Sequence, residues 1–285
     1  MKINFYTPSC GVSDIFGAAT FGFAGAEDES LSTSRLFPVD INGSVICGTY
    51  RECLENIPEG NWKACIALLG NAGNENTFIR ALSEKVSAPI VGGSAAIHPK
   101  TGESGLIYGQ GEAAIFLIDD ERYDFLVTSE NIHYDILSEH SLSFSNPRCI
   151  EKIDGQDAYE WYCNQRAKLG LAPNDFEHLT FADKYGINIH MSSNNGKLFS
   201  GRDVCEKMYL RYASPETVQK RIQSFYDDKD SIIFGCAGLK QILEEGLKTD
   251  GLGLFMFGEV VTCDNHSDFG NLMLSKLSVR KNINN

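Results

Sequence analysis

The sequence predicts a mixed α/β protein of two packed halves, each a mixed sheet flanked by helices. Short apolar runs typical of buried strands alternate with segments whose apolar residues recur at helical spacing. The order strand, helix, strand occurs in both halves. With 285 residues, 42% of them hydrophobic, the chain is long enough to bury a sizeable core. A break near residues 143–147 predicts two domains, 1–147 and 148–285.

In the first half, residues 63–71 (KACIALLGN) form a continuous apolar run and predict a buried strand. Asn74 is placed to cap the helix that follows, whose apolar face consists of Phe78, Ile79, Leu82 and Val86. Pro89 ends that helix, and residues 89–91 begin a second strand that leads into a turn at residues 92–94. Residues 113–118 and 123–127 flank an acidic turn and predict an antiparallel hairpin.

The second half begins with a predicted strand over 148–153, a turn at 154–155 and a helix over 157–169. Asn194-Asn195-Gly196 is a hairpin turn, and Pro215–Tyr226 is a helix with proline in its first turn. Strands follow at 231–234, 252–257 and 272–279. A helix between the first two of these strands is predicted by apolar residues at helical spacing: Leu239, Ile242, Leu243 and Leu247.

Charge and cysteine content exclude several classes of protein. The formal net charge of −13 opposes nonspecific binding to nucleic acid or to anionic lipid, since both require a cationic surface. The longest stretch without a charged residue is fourteen residues, 86–99, which is too short to span a bilayer. Residues 1–8 contain no apolar h-region and no small-residue cleavage site, so we expect no secretory signal. Nine cysteines without a C-x-x-C pair predict reduced thiols and a cytoplasmic location.

Two further motifs carry little functional information. Residues 109–114 (GQGEAA) match a dinucleotide-binding spacing, but they lead into the strand pattern AAIFLI rather than a helix, which favours a turn between strands. The six histidines show no metal-ligand spacing, and Asp264, His266 and Asp268 are expected to lie in an exposed polar loop. We therefore predict no metal site.

Three positions suggest a binding site. Gly92, Gly93 and Ser94 follow a strand, where small residues allow close approach of a ligand and the serine hydroxyl can bond it; the alternative is that they only allow tight packing of a turn. Cys236 lies between a strand and a helix, where a thiol can become reactive; the alternative is an inert thiol in the core. Glu259 ends the apolar run LGLFMF; if buried, its carboxylate requires a cation, a donor or a ligand amine. The alternative is that the chain has already turned into solvent at Glu259.

These motifs resemble those of the FIST family of intracellular signal-transduction sensors. In the second half the resemblance lies in residues 153–162 (IDGQDAYEWY), 234–238 (FGCAG), 251–259 (GLGLFMFGE) and 269–272 (FGNL). In the first half, residues 92–96 (GGSAA) are similar to the family's "GG-x-A-g" turn. The chain departs from the family pattern at Gly270, where the family has histidine, and at residues 272–273, where it has Gln-Thr.

The resemblance implies a sensor rather than an enzyme, with a small ligand such as an amino acid held in a cleft between the two halves. The predicted ligand-binding residues are Gly92, Gly93, Ser94, Cys236, Glu259 and Asn271. Glu259 would take an amine, and Ser94 and Asn271 would supply neutral hydrogen bonds. The signalling partner would be a histidine kinase or a cyclic-dinucleotide enzyme.

Two alternatives remain open at this point. The first is a haem-based nitric oxide sensor, because some FIST proteins bind haem; the axial ligand would be His98 or His190, each beside a predicted strand. The second is an enzyme that uses Cys236 as its nucleophile.

Overall fold

The computed structural model describes residues 2–8, 33–70, 73–94, 112–227, 231–236, 238–239, 252–256, 258–263 and 265–282. The helices within these ranges are α1 (Tyr50–Glu55), α2 (Glu75–Lys85), α3 (Ala158–Lys168) and α4 (Pro215–Tyr226). The strands are β1 (Lys2–Pro8), β2 (Thr33–Asp40), β3 (Gly43–Gly48), β4 (Ala64–Leu69), β5 (Ile90–Ser94), β6 (Ala113–Ile118), β7 (Tyr123–Asn131), β8 (Asp135–Ser143), β9 (Cys149–Ile150), β10 (Lys152–Ile153), β11 (Gln156–Asp157), β12 (Leu179–Ala182), β13 (Asn188–Ile189), β14 (Met191–Asn194), β15 (Lys197–Ser200), β16 (Lys207–Tyr212), β17 (Ser231–Cys236), β18 (Leu252–Met256), β19 (Glu259–Cys263), β20 (His266–Gly270) and β21 (Met273–Lys281). No helix within the described ranges has the length and apolar character needed to cross a membrane.

Two sheets stack face to face in what we call the sandwich lobe. The first sheet has the strand order β20-β19-β5-β4-β6-β3, and the second has the order β18-β17-β21-β7. Alternate residues of β4 and β6, such as Ile66 and Phe116, pack against Phe234 of β17 and Leu277 of β21. The side chains between the two sheets form one core, as expected when each strand turns every second residue toward the facing sheet.

Helices cover the outer faces of both sheets. On the first sheet, Phe78, Ile79 and Leu82 of α2 pack against the residues of β4 and β6 that point away from the second sheet, among them Cys65 and Ile115. On the second sheet, α4 packs its buried residues, among them Ile222, onto the outer face of β17 and β21. The lobe is therefore a four-layer arrangement of helix, sheet, sheet and helix, because both faces of each sheet are apolar.

Residues 135–213 form a second unit, the inserted lobe, between β7 and α4. Its sheets have the orders β11-β10-β8-β16-β12-β13 and β14-β15-β9. A separate core lies between these sheets and α3, with Trp161, Tyr162 and Phe181 at its centre. The remaining pair, β1 and β2, is antiparallel.

The prediction of a mixed α/β fold is confirmed. The predicted boundary at residue 147, however, does not coincide with a division between sheets. β7 lies before this boundary and pairs with β21, and β5 lies before it and pairs with β19. The chain begins the sandwich lobe, forms the inserted lobe, and then returns to complete both sheets of the sandwich.

Most of the predicted elements are present, and α4 matches its predicted limits. The strand–helix–strand order of β4, α2 and β5 is typical of parallel pairing, and β4 and β5 do pair in parallel. The turns at Asp154-Gly155 and Asn195-Gly196 both have positive φ at each central residue, as a two-residue hairpin of type I′ requires. The predicted helix over 239–247 lies outside the described residues except for Leu239, as does the glycine motif at 109–111.

Several local predictions are wrong. β6 and β7 do not form a hairpin: β6 pairs with β3 and β4 in the first sheet, whereas β7 pairs with β21 in the second. Residues 92–94 are strand rather than turn. Asn74 does occupy the N-cap of α2, but with a φ of 63° and without a side-chain capping bond. For β6 and for residues 92–94, pairing with strands distant in the chain decided the geometry.

Candidate functional site

A group of buried polar side chains lies where the chain crosses between the two stacked sheets. After β18 in the second sheet, the chain passes through Gly258 and enters β19 in the first sheet with Glu259. It returns to the second sheet through Asn271 and Leu272, between β20 and β21. β5 of the first sheet ends beside the first crossing, since Ser94 N donates to Gly258 O at 2.9 Å. Both crossings and the end of β5 therefore meet in one place.

Glu259 is the most unusual residue at this place. It is fully buried, and its Oε1 accepts a hydrogen bond of 2.5 Å from Met273 N. Oε2 has no partner of good hydrogen-bond geometry among the described residues, although the Cys236 thiol faces the carboxyl group and favours its ionised form. Burial dominates and raises the pKa of Glu259 well above its ordinary value, because the ionised form loses its hydration.

Ser94 is the second buried group with unused hydrogen-bonding capacity. Its neighbour Gly93 pairs with Glu259 across β5 and β19, which brings Ser94 alongside the Glu259 position. The side chain is fully buried, and Oγ has no hydrogen-bond partner among the described residues. Two unsatisfied polar atoms on paired strands are uncommon, since buried polar groups in native proteins are nearly always bonded to protein or to ordered water.

Cys236 ends β17 in the second sheet, opposite Glu259. Burial raises the pKa of its thiol, and the Glu259 charge raises it further, while backbone amides of Leu272, Gly238 and Gly258 act in the opposite direction. The same surroundings raise the pKa of the Tyr226 phenol, chiefly through burial and then through Glu259. A nucleophilic cysteine requires the reverse shift, toward thiolate. The environment of Cys236 thus opposes its use as a nucleophile.

Asn271 connects this group to the inserted lobe. Its backbone N donates to Asn188 O at 3.1 Å, and its Oδ1 accepts from His190 N at 3.3 Å. A Cβ built on Gly201, also in the inserted lobe, would lie 2.7 Å from Asn271 Oδ1, so the Asn271 side chain lies against the Gly201 backbone. Asn271 therefore contacts two parts of the inserted lobe, residues 188–190 and Gly201.

Glycines make these close approaches possible. A Cβ at Gly92, whose φ is 139°, would lie 1.9 Å from the backbone oxygen of Ala67 on β4. A Cβ at Gly93 would lie 2.6 Å from Met256 Sδ in the facing sheet. Gly258 has a φ of 94°, and a Cβ there would lie 2.3 Å from the Phe269 ring. No larger residue fits at any of the three positions without a backbone shift.

All six residues predicted as ligand-binding lie within this one group, which we call the polar cluster: Gly92, Gly93, Ser94, Cys236, Glu259 and Asn271. The alternative that Glu259 has turned into solvent is wrong. Of the two predicted haem ligands, His98 lies outside the described residues. His190 is partly exposed, and its Nε2 lies 3.9 Å from Glu177 Oε1. No group of potential metal ligands occurs within the described parts of the chain.

The sequence analysis missed a second buried polar group, the ion-pair network, which joins the two lobes. Arg202 of the inserted lobe is almost fully buried; Nη2 lies 2.8 Å from Asp183 Oδ2, and Nη1 lies 3.3 Å from Asp268 Oδ2. Arg80 of α2 also bonds Asp268, at 2.7 Å. The expectation of an exposed loop at residues 264–268 is therefore wrong for Asp268, which lies in the β19–β20 hairpin. No sequence spacing connects these four residues.

Beside the ion-pair network lies an interlobe cleft of about 740 Å³. Arg80 and His266 line it from the sandwich lobe, and Tyr185 and Tyr209 line it from the inserted lobe. The Tyr185 and His266 rings stack with centroids 3.9 Å apart. The predicted cleft between two units therefore has a counterpart, but none of the predicted ligand-binding residues lines it.

Neither protein-family models nor curated protein sequences match this chain. The resemblance to the FIST family consequently remains a prediction that depends on the motifs quoted above, four of which supply residues to the polar cluster.

Proposed function

We propose that the protein is a cytoplasmic sensor that binds a small ligand at the polar cluster. The observation that carries this proposal is the pair of buried atoms Glu259 Oε2 and Ser94 Oγ: apart from the Cys236 thiol that faces the Glu259 carboxyl group, neither atom has a hydrogen-bond partner of good geometry among the described residues. An unsatisfied buried carboxyl oxygen costs on the order of 1–3 kcal/mol or more, a cost that a bound ligand would remove.

The ligand that suits this site carries an amine and at least one hydrogen-bond acceptor. A protonated amine would bond Glu259 Oε2 and neutralise the charge that burial makes unfavourable. The Ser94 hydroxyl would donate to an acceptor of the same ligand. Amino acids and similar small amines meet both requirements, in agreement with the ligand class that the FIST resemblance implies.

Asn271 supplies a route from ligand binding to a partner. Because Asn271 belongs to the polar cluster and also bonds to residues 188 and 190 of the inserted lobe, a shift of the second crossing would change contacts between the lobes. A ligand that favours one arrangement of the lobes would bias the state of a bound histidine kinase or cyclic-dinucleotide enzyme.

The test is a screen of amino acids, polyamines and nucleotides by thermal shift, followed by calorimetry on any ligand that raises the melting temperature. Glu259→Gln keeps the size of the side chain and removes its charge, so we expect it to abolish binding of an amine. Glu59→Gln, the same substitution at an exposed glutamate outside the polar cluster, serves as the matched control.

Calorimetry also reports the protonation of Glu259. Since burial raises the pKa of Glu259, the free protein holds this group in its neutral form over a wider pH range, and binding of a cation ionises it. Binding should therefore release a proton, and affinity should increase with pH. A ligand that binds Glu259→Gln as tightly as the unmodified protein would contradict the proposal, as would a complete absence of stabilisation across the screen.

A further inference from the structure

Ser138, His140 and Asp154 form a hydrogen-bonded chain on the surface of the inserted lobe, separate from the polar cluster and from the interlobe cleft. Ser138 Oγ lies 2.5 Å from His140 Nε2, and His140 Nδ1 lies 2.6 Å from Asp154 Oδ2. Each nitrogen of the imidazole thus faces a different oxygen. This is the connectivity of a serine nucleophile, a general base and an orienting carboxylate.

Local structure explains how these residues meet. Ser138 and His140 are two residues apart on β8 and so lie on the same face of the strand. Asp154 is placed by the type I′ turn between β10 and β11, in which it adopts a φ of 49°. Because β10 pairs antiparallel with β8, with Ile153 opposite Leu142, the turn brings Asp154 next to His140.

The base and the carboxylate are both held in position. Asp154 Oδ1 accepts a second hydrogen bond, of 2.9 Å, from Ser141 N. The hydrogen bonds from His140 and Ser141 lower the pKa of Asp154, so the carboxylate stays ionised. The imidazole ring packs edge-on against Trp161 at a centroid distance of 4.6 Å, and its side chain is only 12% exposed. Ser138, in contrast, is exposed and accessible to a substrate.

We propose that Ser138 is the nucleophile of an acyl-transfer site with His140 as its general base and Asp154 as a positioning residue. Ser138 Oγ would attack the carbonyl carbon of an ester while its proton moves to His140 Nε2. Collapse of the tetrahedral intermediate expels the alcohol, which takes that proton and leaves an acyl-serine. Water then attacks the acyl-serine, again losing a proton to Nε2, and the proton returns to Ser138 Oγ as the acid departs.

The surroundings favour a neutral ester with an apolar acyl group. Ile136 and Leu137, the two residues before Ser138, are 57% and 44% exposed, which is unusual for large aliphatic side chains. β8 has a register shift at Leu137, and the exposed aliphatic side chains at this shift would suit an apolar acyl group better than a polar one. The net charge of −13 and the neighbouring Asp135 and Glu139 disfavour an anionic substrate.

The experiment measures hydrolysis of p-nitrophenyl butyrate and covalent labelling by a fluorophosphonate, with the labelled peptide identified by mass spectrometry. We expect one label per chain, on Ser138, and release of p-nitrophenol above the buffer rate. Ser138→Ala should abolish both signals. Ser143→Ala, an exposed serine on the same strand outside the chain of hydrogen bonds, should leave both unchanged.

Two further variants separate catalysis from structure. His140→Gln retains most of the packing against Trp161 but cannot act as the same base, so labelling at Ser138 should be lost. Asp154→Asn should lower kcat at least ~10-fold with little change in KM, because the carboxylate orients the base and does not touch substrate. A merely structural His140–Asp154 pair would change the melting temperature and leave Ser138 unlabelled in every variant. Absence of label on Ser138 in the unmodified, folded protein would overturn the proposal.

Discussion

Asp268 and Glu259 are both fully buried carboxylates in neighbouring strands, and they have opposite surroundings. Asp268 accepts five hydrogen bonds, from Asn76, Phe269, Arg202 and two nitrogens of Arg80. Glu259 accepts one good hydrogen bond, from Met273 N, and no cation faces it among the described residues. The comparison shows how to separate a carboxylate that holds the fold together from one that is available to a ligand.

Of the substitutions that test this comparison, Asp268→Asn should cause the largest loss in the free energy of unfolding. The substitution leaves Arg202 buried with only half of its compensating charge and removes the acceptor that Arg80 uses. Breaking a buried ion pair from one side costs on the order of 3–5 kcal/mol. We expect this loss in the free energy of unfolding measured with urea at neutral pH. A loss below about 1 kcal/mol would mean that the ion-pair network does not join the lobes energetically.

His133 is a buried base that can be compared with Glu259, because both of its ring nitrogens have a hydrogen-bond partner. Its Nε2 bonds Glu177 O at 2.7 Å, and Nδ1 accepts from Asn188 Nδ2 at 2.9 Å, so the neutral ring carries its proton on Nε2. Burial lowers the pKa of His133 to about 4.

Because the pKa of His133 is lowered in the folded protein, the unfolded chain takes up a proton at this histidine at a higher pH than the folded protein does. The contribution of His133 to stability is therefore present above pH 6.5 and is lost as the pH falls toward 4, by on the order of 3 kcal/mol. Nitrogen NMR of the imidazole should show the neutral ring with a proton on Nε2 down to about pH 4. Titration of this histidine near pH 6.5 would contradict the expectation.

Glu259→Gln should change the stability less than Asp268→Asn does, and the change should depend on pH. The raised pKa of Glu259 means that the folded protein binds a proton more tightly than the unfolded chain does. Stability from this group is thus fully present below about pH 4.5 and is lost as the pH rises through the folded-state pKa. The melting temperature of Glu259→Gln should equal that of the unmodified protein in acid and exceed it increasingly as the pH rises.

The opposite trend in Glu259→Gln, with a lower melting temperature at neutral pH, would assign Glu259 to the scaffold through its bond to Met273. That outcome would remove the main support for the proposed ligand site, because the carboxylate would then be compensated within the protein.

Two buried serines, Ser231 and Ser94, allow the same substitution to be compared, with the smallest expected changes in the free energy of unfolding. Ser231 Oγ lies 2.7 Å from Ser278 Oγ, whereas Ser94 Oγ has no partner among the described residues. Ser231→Ala leaves the Ser278 hydroxyl unpaired and should cost about 1–2 kcal/mol. Ser94→Ala removes an unpaired hydroxyl and should change the free energy of unfolding by less than about 0.5 kcal/mol. Equal losses in the two variants would show that Ser94 is satisfied within the protein.

Local patterns in the sequence were sufficient for three of the four helices in the described ranges and for the buried strands β4, β6 and β17, but not for α1 or for strands such as β8, β16 and β19. Proline at the first turn of α4, the Asp-Gly and Asn-Gly turns and the apolar run of β4 each specify their geometry through residues close in the chain. The six residues that the family resemblance grouped also lie together in the polar cluster, and their role in ligand binding stays a prediction.

Strand pairing and burial were decided only by tertiary structure. β6 pairs with β3 and β4 rather than with β7, and the inserted lobe divides the sandwich lobe, since pairing joins residues far apart in the chain. Asp268 is buried because Asn76, 192 residues away, and Arg202 supply its donors. Serine, histidine and aspartate at positions 138, 140 and 154 became a hydrogen-bonded chain only when β10 paired with β8. Periodicity within a segment determines which side chains share a face, but the partners that make a buried charge stable come from elsewhere in the fold.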